Sequence, residues 1–271
     1  FVNNNSVATE TDTIGLSYAF DSSVYGDYVL RVQAKTDAGT VYDTVNICVK
    51  QPVQVESIPE GMQEGINYDA QNNSVTLVLR APLKENVFVL GDFNNWVVKN
   101  EYQMKKDSVF WWLTIPNLDP DKEYAFQYLI DGTLKVSDEY TEKVIDPWND
   151  QYISTSVHPR LIYPKAADGL VSVLQINQPQ YTWETTDFVE PSKENLIIYE
   201  LLFRDFTAEG TVKAAMEKLD YLKSLGINAI ELMPISEFDG NDSWGYNPNH
   251  YFAYDKAYGT RDDYKKFIDE C

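Results

Sequence analysis

Basic residues are scarce in this chain and histidine scarcer still. It holds 22 Lys and Arg against 42 Asp and Glu, with two His, for a formal net charge of −20. Nucleic-acid binding needs Lys and Arg to neutralise phosphates, and docking on anionic lipid needs polybasic segments, so the composition argues against both partners. The acidity serves solubility and does not repel a neutral polymer. Cysteine is as rare: Cys48 and Cys271 are too few and too far apart for a disulfide framework. No spacing of His and Cys suggests zinc, and neither metal nor cofactor is expected. No run of about 18 apolar residues exists, so no membrane-spanning segment is expected. The chain starts at Phe1, with no Met and no charged-then-apolar leader, so an export signal is not among these residues.

What is present is β pattern first. Through residues 1–52, Ser17, Ala19, Tyr28, Leu30, Val32 and Ala34 alternate with more polar neighbours. Asp37-Ala38-Gly39 is a turn, and 41–49 is the return strand. This segment reads as part of an immunoglobulin-like sandwich with its first strands before Phe1, or as a small β module complete in itself. Gln51-Pro52 and Ile58-Pro59-Glu60-Gly61 mark a linker. Residues 53–165 read as a second β-sandwich, with strands at 74–79, 86–90 and 110–115 and a hairpin at 124–130 turning on Asp131-Gly132, which suits a two-residue type I′ turn. Adjacent Trp111 and Trp112 point to opposite faces, one to the core and the other outward or under a cover. Residues 166–194 are a Pro-punctuated connector, too apolar to be a free tether.

From Asn195 the period changes. Two nearly continuous apolar runs, 196–202 and 227–233, flank a helical stretch with Val212, Ala215, Met216, Leu219, Leu222 and Leu225 on one face. Gly226 stops it, and the whole reads as a β-α-β unit of a parallel sheet. A long aromatic-rich loop follows to Tyr258. Thr260 with Asp263 then caps a second helix, whose stripe is Tyr264, Phe267, Ile268 and Cys271.

The order IIYELLFRDF, LDYLKSLGINAIELMPISEF, SWGYNPNHYFAYDKAYGT resembles the start of the catalytic barrel of the α-amylase family of glycoside hydrolases. Gly91-Asp92-Phe93-Asn94-Asn95-Trp96 resembles the G-x-F-N-x-W loop of family-48 carbohydrate-binding modules. The resemblance implies a multidomain chain: all-β sandwich domains of immunoglobulin-like, early-set type, then the first part of a (β/α)8 barrel over 195–271 that stops in helix two. It implies the N-terminal part of a retaining hydrolase of α-1,4-glucosidic bonds in starch or related glucans, secreted, periplasmic or at the cell surface, with an α-glucan polysaccharide or oligosaccharide as partner. Debranching or branching is the alternative within the enzyme class, and a noncatalytic glucan-binding or surface-assembly protein the alternative outside it.

Sites in such barrels form from the loops after the strands. By resemblance, Tyr246 stacks on the glucose at the cleavage point, Trp244 shapes the same pocket, and Asn247 and His250 bond within the loop or to sugar hydroxyls; Asn249 is a further candidate for such bonds. Tyr251, Phe252, Tyr254 and Tyr258 are expected to pack the loop on the barrel rim. In the middle domain Trp96, with Asn94 and Asn95, either stacks on sugar or packs the interdomain surface. Glu200 and Glu231 sit in the apolar strands, and the family's pattern gives neither a catalytic role. A barrel needs about 250 residues, and fewer than a third of that number follow Asn195. The family's catalytic carboxylates lie on strands four, five and seven, so no catalytic residue is expected here. The barrel segment is expected to be ordered only where it packs on the connector or another chain, with the loop from Ser236 to Tyr258 its loosest part.

Overall fold

The computed structural model describes residues 1–11 and 15–271. They divide into two units, 1–118 with 126–136 and 119–125 with 137–271.

The first unit opens on a long hairpin, β1 (Gly26–Thr36) and β2 (Gly39–Val49), antiparallel from Gly26↔Val49 to Thr36↔Gly39. Alternation puts Tyr28, Leu30, Val32 and Ala34 on one face, and the register sets Ile47, Val45 and Val41 opposite three of them. Val32, Val41 and Val45 remain exposed. Among the described residues of 1–52 the hairpin is the one sheet, with an isolated bridge from Val2 to Leu30 beside it, and 15–25 add no strand.

A four-stranded antiparallel sheet follows in the order β3-β4-β7-β6, from β3 (Gly65–Asp69), β4 (Ser74–Arg80), β6 (Lys105–Asp107) and β7 (Phe110–Ile115). Beside it in the same unit, β5 (Val87–Gly91) pairs antiparallel with β8 (Tyr124–Ile130), and β8 with β9 (Leu134–Val136). Val75, Leu77, Val87, Val89, Trp111, Phe126 and Tyr128 are wholly buried. Both adjacent tryptophans are buried, each with its indole N–H on a carbonyl: Trp111 on Ala81 O at 3.0 Å, Trp112 on Glu56 O at 2.9 Å. Trp112 is covered because the linker is docked: Lys106 N donates to Gln54 O and Glu56 N to Lys106 O, so 54–56 lie as an extra edge beside β6. At the β8–β9 turn Asp131 and Gly132 both take positive φ, as expected. The connection holds three residues instead of two, since Ile130 pairs with Leu134.

In the second unit, β10 (Val144–Ile145) pairs with β11 (Val171–Leu174). The β-α-β unit then forms as expected: β12 (Ile198–Leu201) and β13 (Ala229–Leu232) are parallel, with Ile198↔Ala229 and Leu201↔Leu232. The crossover differs from the single helix expected. A short α1 (Phe203–Phe206) follows β12, and the amphipathic stretch is split into α2 (Val212–Met216) and α3 (Leu219–Ser224). The split comes from a tightened turn, where Lys218 N bonds to Ala215 O three residues back and Lys218 takes φ −104°, ψ 0°. After β13 come a hairpin, β14 (Ser236–Phe238) and β15 (Pro248–Tyr254), and α4 (Arg261–Glu270). Thr260 and Asp263 cap α4 reciprocally: Asp263 N donates to Thr260 Oγ1 and Thr260 N to Asp263 Oδ2.

Phe203 is the hub of this unit's core. Its ring meets Phe267 at 5.2 Å, Tyr258 at 5.8 Å and Tyr264 at 6.1 Å, and the cluster continues through Leu201, Val212, Ala215, Leu222 and Phe238. Two members of the expected α4 stripe, Tyr264 and Phe267, are buried, while Ile268 and Cys271 are exposed. The connector is docked, not free: Glu184 N and Thr185 N donate to the Asp269 carboxylate of α4, as does the Tyr181 hydroxyl. Phe203→Ala is expected to cost about 3–5 kcal/mol, read as a lowered urea midpoint and faster amide exchange in β12 and β13. A loss below about 1 kcal/mol would remove Phe203 from the centre of this core.

Candidate functional site

The loop after β13 is organised, and one glycine sets its shape. Gly245 has φ +87°, and a Cβ there would lie 2.4 Å from Pro234 O. Only glycine therefore lets the chain press against the end of β13. With Gly245 buried in that contact, its neighbours turn outward: Trp244 is 63 % and Tyr246 67 % exposed. Both residues named by resemblance are accessible, one on either side of Gly245. Asn247 is exposed, its side chain bonded to the Ser243 hydroxyl and, through Nδ2, to Asp239 O at 3.4 Å. An exposed aromatic pair flanked by amide and hydroxyl groups offers an apolar face to a sugar's C–H surface and hydrogen-bonding groups to its hydroxyls.

His250 stands apart from this tip. It is 5 % exposed, with Nε2 at 2.8 Å from Ser137 Oγ and Nδ1 at 3.0 Å from Asn249 Oδ1, so both ring nitrogens are engaged within the protein. Of the four aromatics expected to pack the loop, Tyr258 is buried and Tyr254 mostly so, while Tyr251 and Phe252 are exposed. Phe252 stacks on Tyr140 at 5.1 Å and 22°.

The loop's neighbours come from residues 137–158. Beyond Ser137–His250 and Tyr140–Phe252, Tyr254 N donates to Glu142 O, Asn241 Nδ2 to Asn149 O, and His158 Nε2 lies 3.2 Å from the Tyr254 hydroxyl. The loop from Ser236 to Tyr258, expected to depend on later strands for its neighbours, is pinned along its length by a segment that precedes the barrel.

The strongest pin was not legible in the sequence. Lys256, 1 % exposed, ion-pairs with Glu237 Oε1 of β14 and lies 3.3 Å from Asp150 Oδ1. Burial works against the ammonium charge, and Glu237, Asp150 and Asp255 together outweigh it, holding the lysine charged. Burial also raises Glu237 and Asp150 above the usual carboxylate range, against the pull of Lys256. Asp255, beside Lys256 in the chain, is pushed up to about 8 by burial and then by the Glu237 charge. Burial pushes both histidines down to about 4, so each is neutral at pH 7.

In the first unit, Asn94 is 1 % exposed and its amide is committed to backbone: Gly91 N and Trp96 N donate to Oδ1, and Nδ2 donates to Val89 O at 2.8 Å. Asn95 takes the left-handed conformation and is exposed. Trp96 is half-buried, its indole N–H on Asp92 Oδ1 at 2.9 Å, and it packs with Phe88, Leu90 and Leu129. Glu200 and Glu231 face each other across the β12–β13 register, both exposed. Among the described residues no group of three or more His, Cys, Asp or Glu is placed to hold a metal ion, and no helix is long and apolar enough to cross a membrane.

A parallel β-α-β unit is the repeating element of a β/α barrel, and the first unit is all-β apart from short 3-10 turns. Residues 174–271 match the family model of the α-amylase catalytic domain, and residues 64–149 match that of carbohydrate-binding module 48, the isoamylase N-terminal domain. These two segments thus resemble the α-amylase family of glycoside hydrolases and the family-48 modules respectively. It is 29 % identical over 205 residues to the malto-oligosyltrehalose trehalohydrolase of Saccharolobus solfataricus, a match covering 75 % of this chain and 31 % of that one. It is 25 % identical over 289 residues to the 1,4-α-glucan branching enzyme GlgB of Synechococcus elongatus, covering 94 % and 33 %. The chain thus spans about a third of the length of these relatives. Among solved structures, a candidate α-amylase from Salmonella typhimurium superposes with a TM-score of 0.59 at 27 % identity, covering 76 % of this chain and 30 % of that one. The Group B Streptococcus pullulanase SAP gives the same TM-score of 0.59 at 19 % identity, over 78 % and 32 %, a likeness of fold.

Lys256→Met is expected to cost about 3–5 kcal/mol, because it leaves two buried carboxylates without their cation. Adding Glu237→Leu and Asp150→Asn should restore most of that loss. Urea unfolding of both variants checks this, and a harmless single substitution would contradict the account. Acid should act through the histidines. Their folded values lie below the unfolded 6.5, so their neutral burial favours the fold above about pH 6.5 and is lost as pH falls towards about 4. Asp255, whose folded value lies above its unfolded one, acts in the opposite sense over part of this range, so the histidine contribution is read as a difference: the melting temperature of wild type relative to His158→Gln with His250→Gln is expected to fall from pH 6.5 towards 4. An unchanged profile in the double variant would contradict it.

Proposed function

We propose that this chain supplies the glucan-positioning part of an α-glucan-acting retaining enzyme of the α-amylase family, and that Trp244 and Tyr246 are its sugar platform. The observation that carries the reading is the loop tip: two aromatic rings turned outward on either side of a glycine that cannot be replaced without a clash. The named relatives act on malto-oligosaccharide derivatives or 1,4-α-glucan, which points to the same class of neutral substrate.

Retaining hydrolysis uses two carboxylates about 5 Å apart, one as nucleophile and one as acid/base. In our reading neither lies in 195–271. Glu200 and Glu231 belong to the strands and not to the loops that follow them, and Glu237 is held by Lys256. The 271 residues therefore bind glucan without cleaving it. Tyr246 stacks on a glucose ring, Trp244 borders the same ring, and Asn247 donates to its hydroxyls. In the middle domain Trp96 offers at most part of its ring, and Asn94 shapes the loop from within.

Titration with maltotetraose, followed by tryptophan fluorescence, tests the platform. Tyr246→Ala is expected to weaken binding at least tenfold, about 1.4 kcal/mol, with the melting temperature unchanged. Equal affinity of variant and wild type would remove Tyr246 from the site. Incubation with soluble starch is expected to release no reducing ends, and release that scales with protein and survives repurification would overturn the noncatalytic part of the reading.

A further inference from the structure

The second unit holds a cavity of about 280 Å³ that shares no lining residue with the Trp244–Tyr246 tip. It lies between the connector, the end of β15 and the start of α4. Small-molecule pockets run from about 300 to 1,000 Å³, and this one lies just below that range, sized for a small ligand such as a single sugar ring.

Its lining is charged but balanced. Glu123, Glu142 and Asp262 face Lys143, Arg160 and Arg261, three acids against three bases. Four of them are already paired: Lys143 with Glu123, and Arg261 Nε with Glu142 Oε2 at 3.5 Å. His158 adds no charge at pH 7. A phosphate or carboxylate ligand would meet as much repulsion as attraction, and so would a cation. The wall between these groups is apolar, from Leu161, Val173 and Pro179. A neutral polyhydroxylated ring matches both features. Its C–H face lies on the apolar wall, and its hydroxyls donate to carboxylates and accept from guanidinium N–H groups. Arg261 has donors to spare: its guanidinium carries five N–H groups, and those accounted for go to Glu142 and to Pro179 O.

We propose that this cavity is a second saccharide subsite, taking one ring of a neutral α-glucan apart from the aromatic loop tip. The glucan identity rests on the function proposed above, and the neutral, hydroxylated character rests on the cavity itself. The subsite sits where the connector meets α4, so the unit would hold a long glucan at two places.

Methyl-labelled protein titrated with maltotetraose tests the subsite. In wild type and in Tyr246→Ala, the Val173 and Leu174 methyl signals are expected to shift saturably. Leu161→Trp, which fills the cavity, should abolish those shifts. Glu142→Ala, a milder change, should raise the apparent Kd at least threefold. If the Trp244 indole signal responds while the Val173 and Leu174 methyls do not, the subsite is overturned and the glucan reading stands. If neither responds, both fail. Shifts that persist unchanged in both cavity variants, or that sorbitol reproduces at equal concentration, also overturn the subsite.

Discussion

A lysine ammonium taken out of water is the constraint on which the second unit turns. Lys256 is buried with Glu237 and Asp150, and each of the three would be costly alone in that setting. Together they join three separate stretches: β14, the turn after β15, and the segment after β10. Such a triad need not add net stability over apolar packing. What it adds is direction, since Lys256 reaches Glu237 and Asp150 together only when the three stretches meet. The hydrogen bonds around it follow the same seam, from Ser137–His250 to Asn149–Asn241 and His158–Tyr254. The Trp244–Tyr246 tip projects from a loop whose base is fixed this way, with Gly245 pressed on Pro234 O fixing its upper end. In the proposed function, rings already in place leave less ordering for glucan binding to supply.

Much of this architecture was legible in the residues. The two apolar runs became β12 and β13 with the parallel pairing expected, and the Thr260–Asp263 cap starts α4 as its chemistry requires. Asp131-Gly132 turns with positive φ at both positions. The quoted motifs fall within the segments that match the two families. Patterns of this kind are local: a period, a cap or a turn is carried by residues a few positions apart.

What was missed is nonlocal. Lys256 reads as a surface charge beside aromatics, and nothing near it in sequence announces Glu237 or Asp150 as partners. Trp112 was expected outward or covered, and its cover is Glu56, from a stretch read as linker. The crossover was expected as one helix because period measures the apolar face, and it is blind to a backbone turn that tightens at Lys218 without breaking that face. Asn94 is committed to backbone, and His250 bonds Ser137 and, by the within-loop role expected of it, Asn249. Trp244 and Tyr246 are named by resemblance, and both are exposed on either side of Gly245.

The central claim is that a buried charge triad presents an aromatic tip to an α-glucan. The most direct measurement is a crystal structure of the 271-residue chain with maltotetraose. The account predicts a glucose ring against the face of Tyr246 and beside Trp244, with Lys256 seated between Glu237 and Asp150. Ordered sugar that leaves both rings bare, or a loop 236–258 in which Lys256 has turned to solvent, would contradict it.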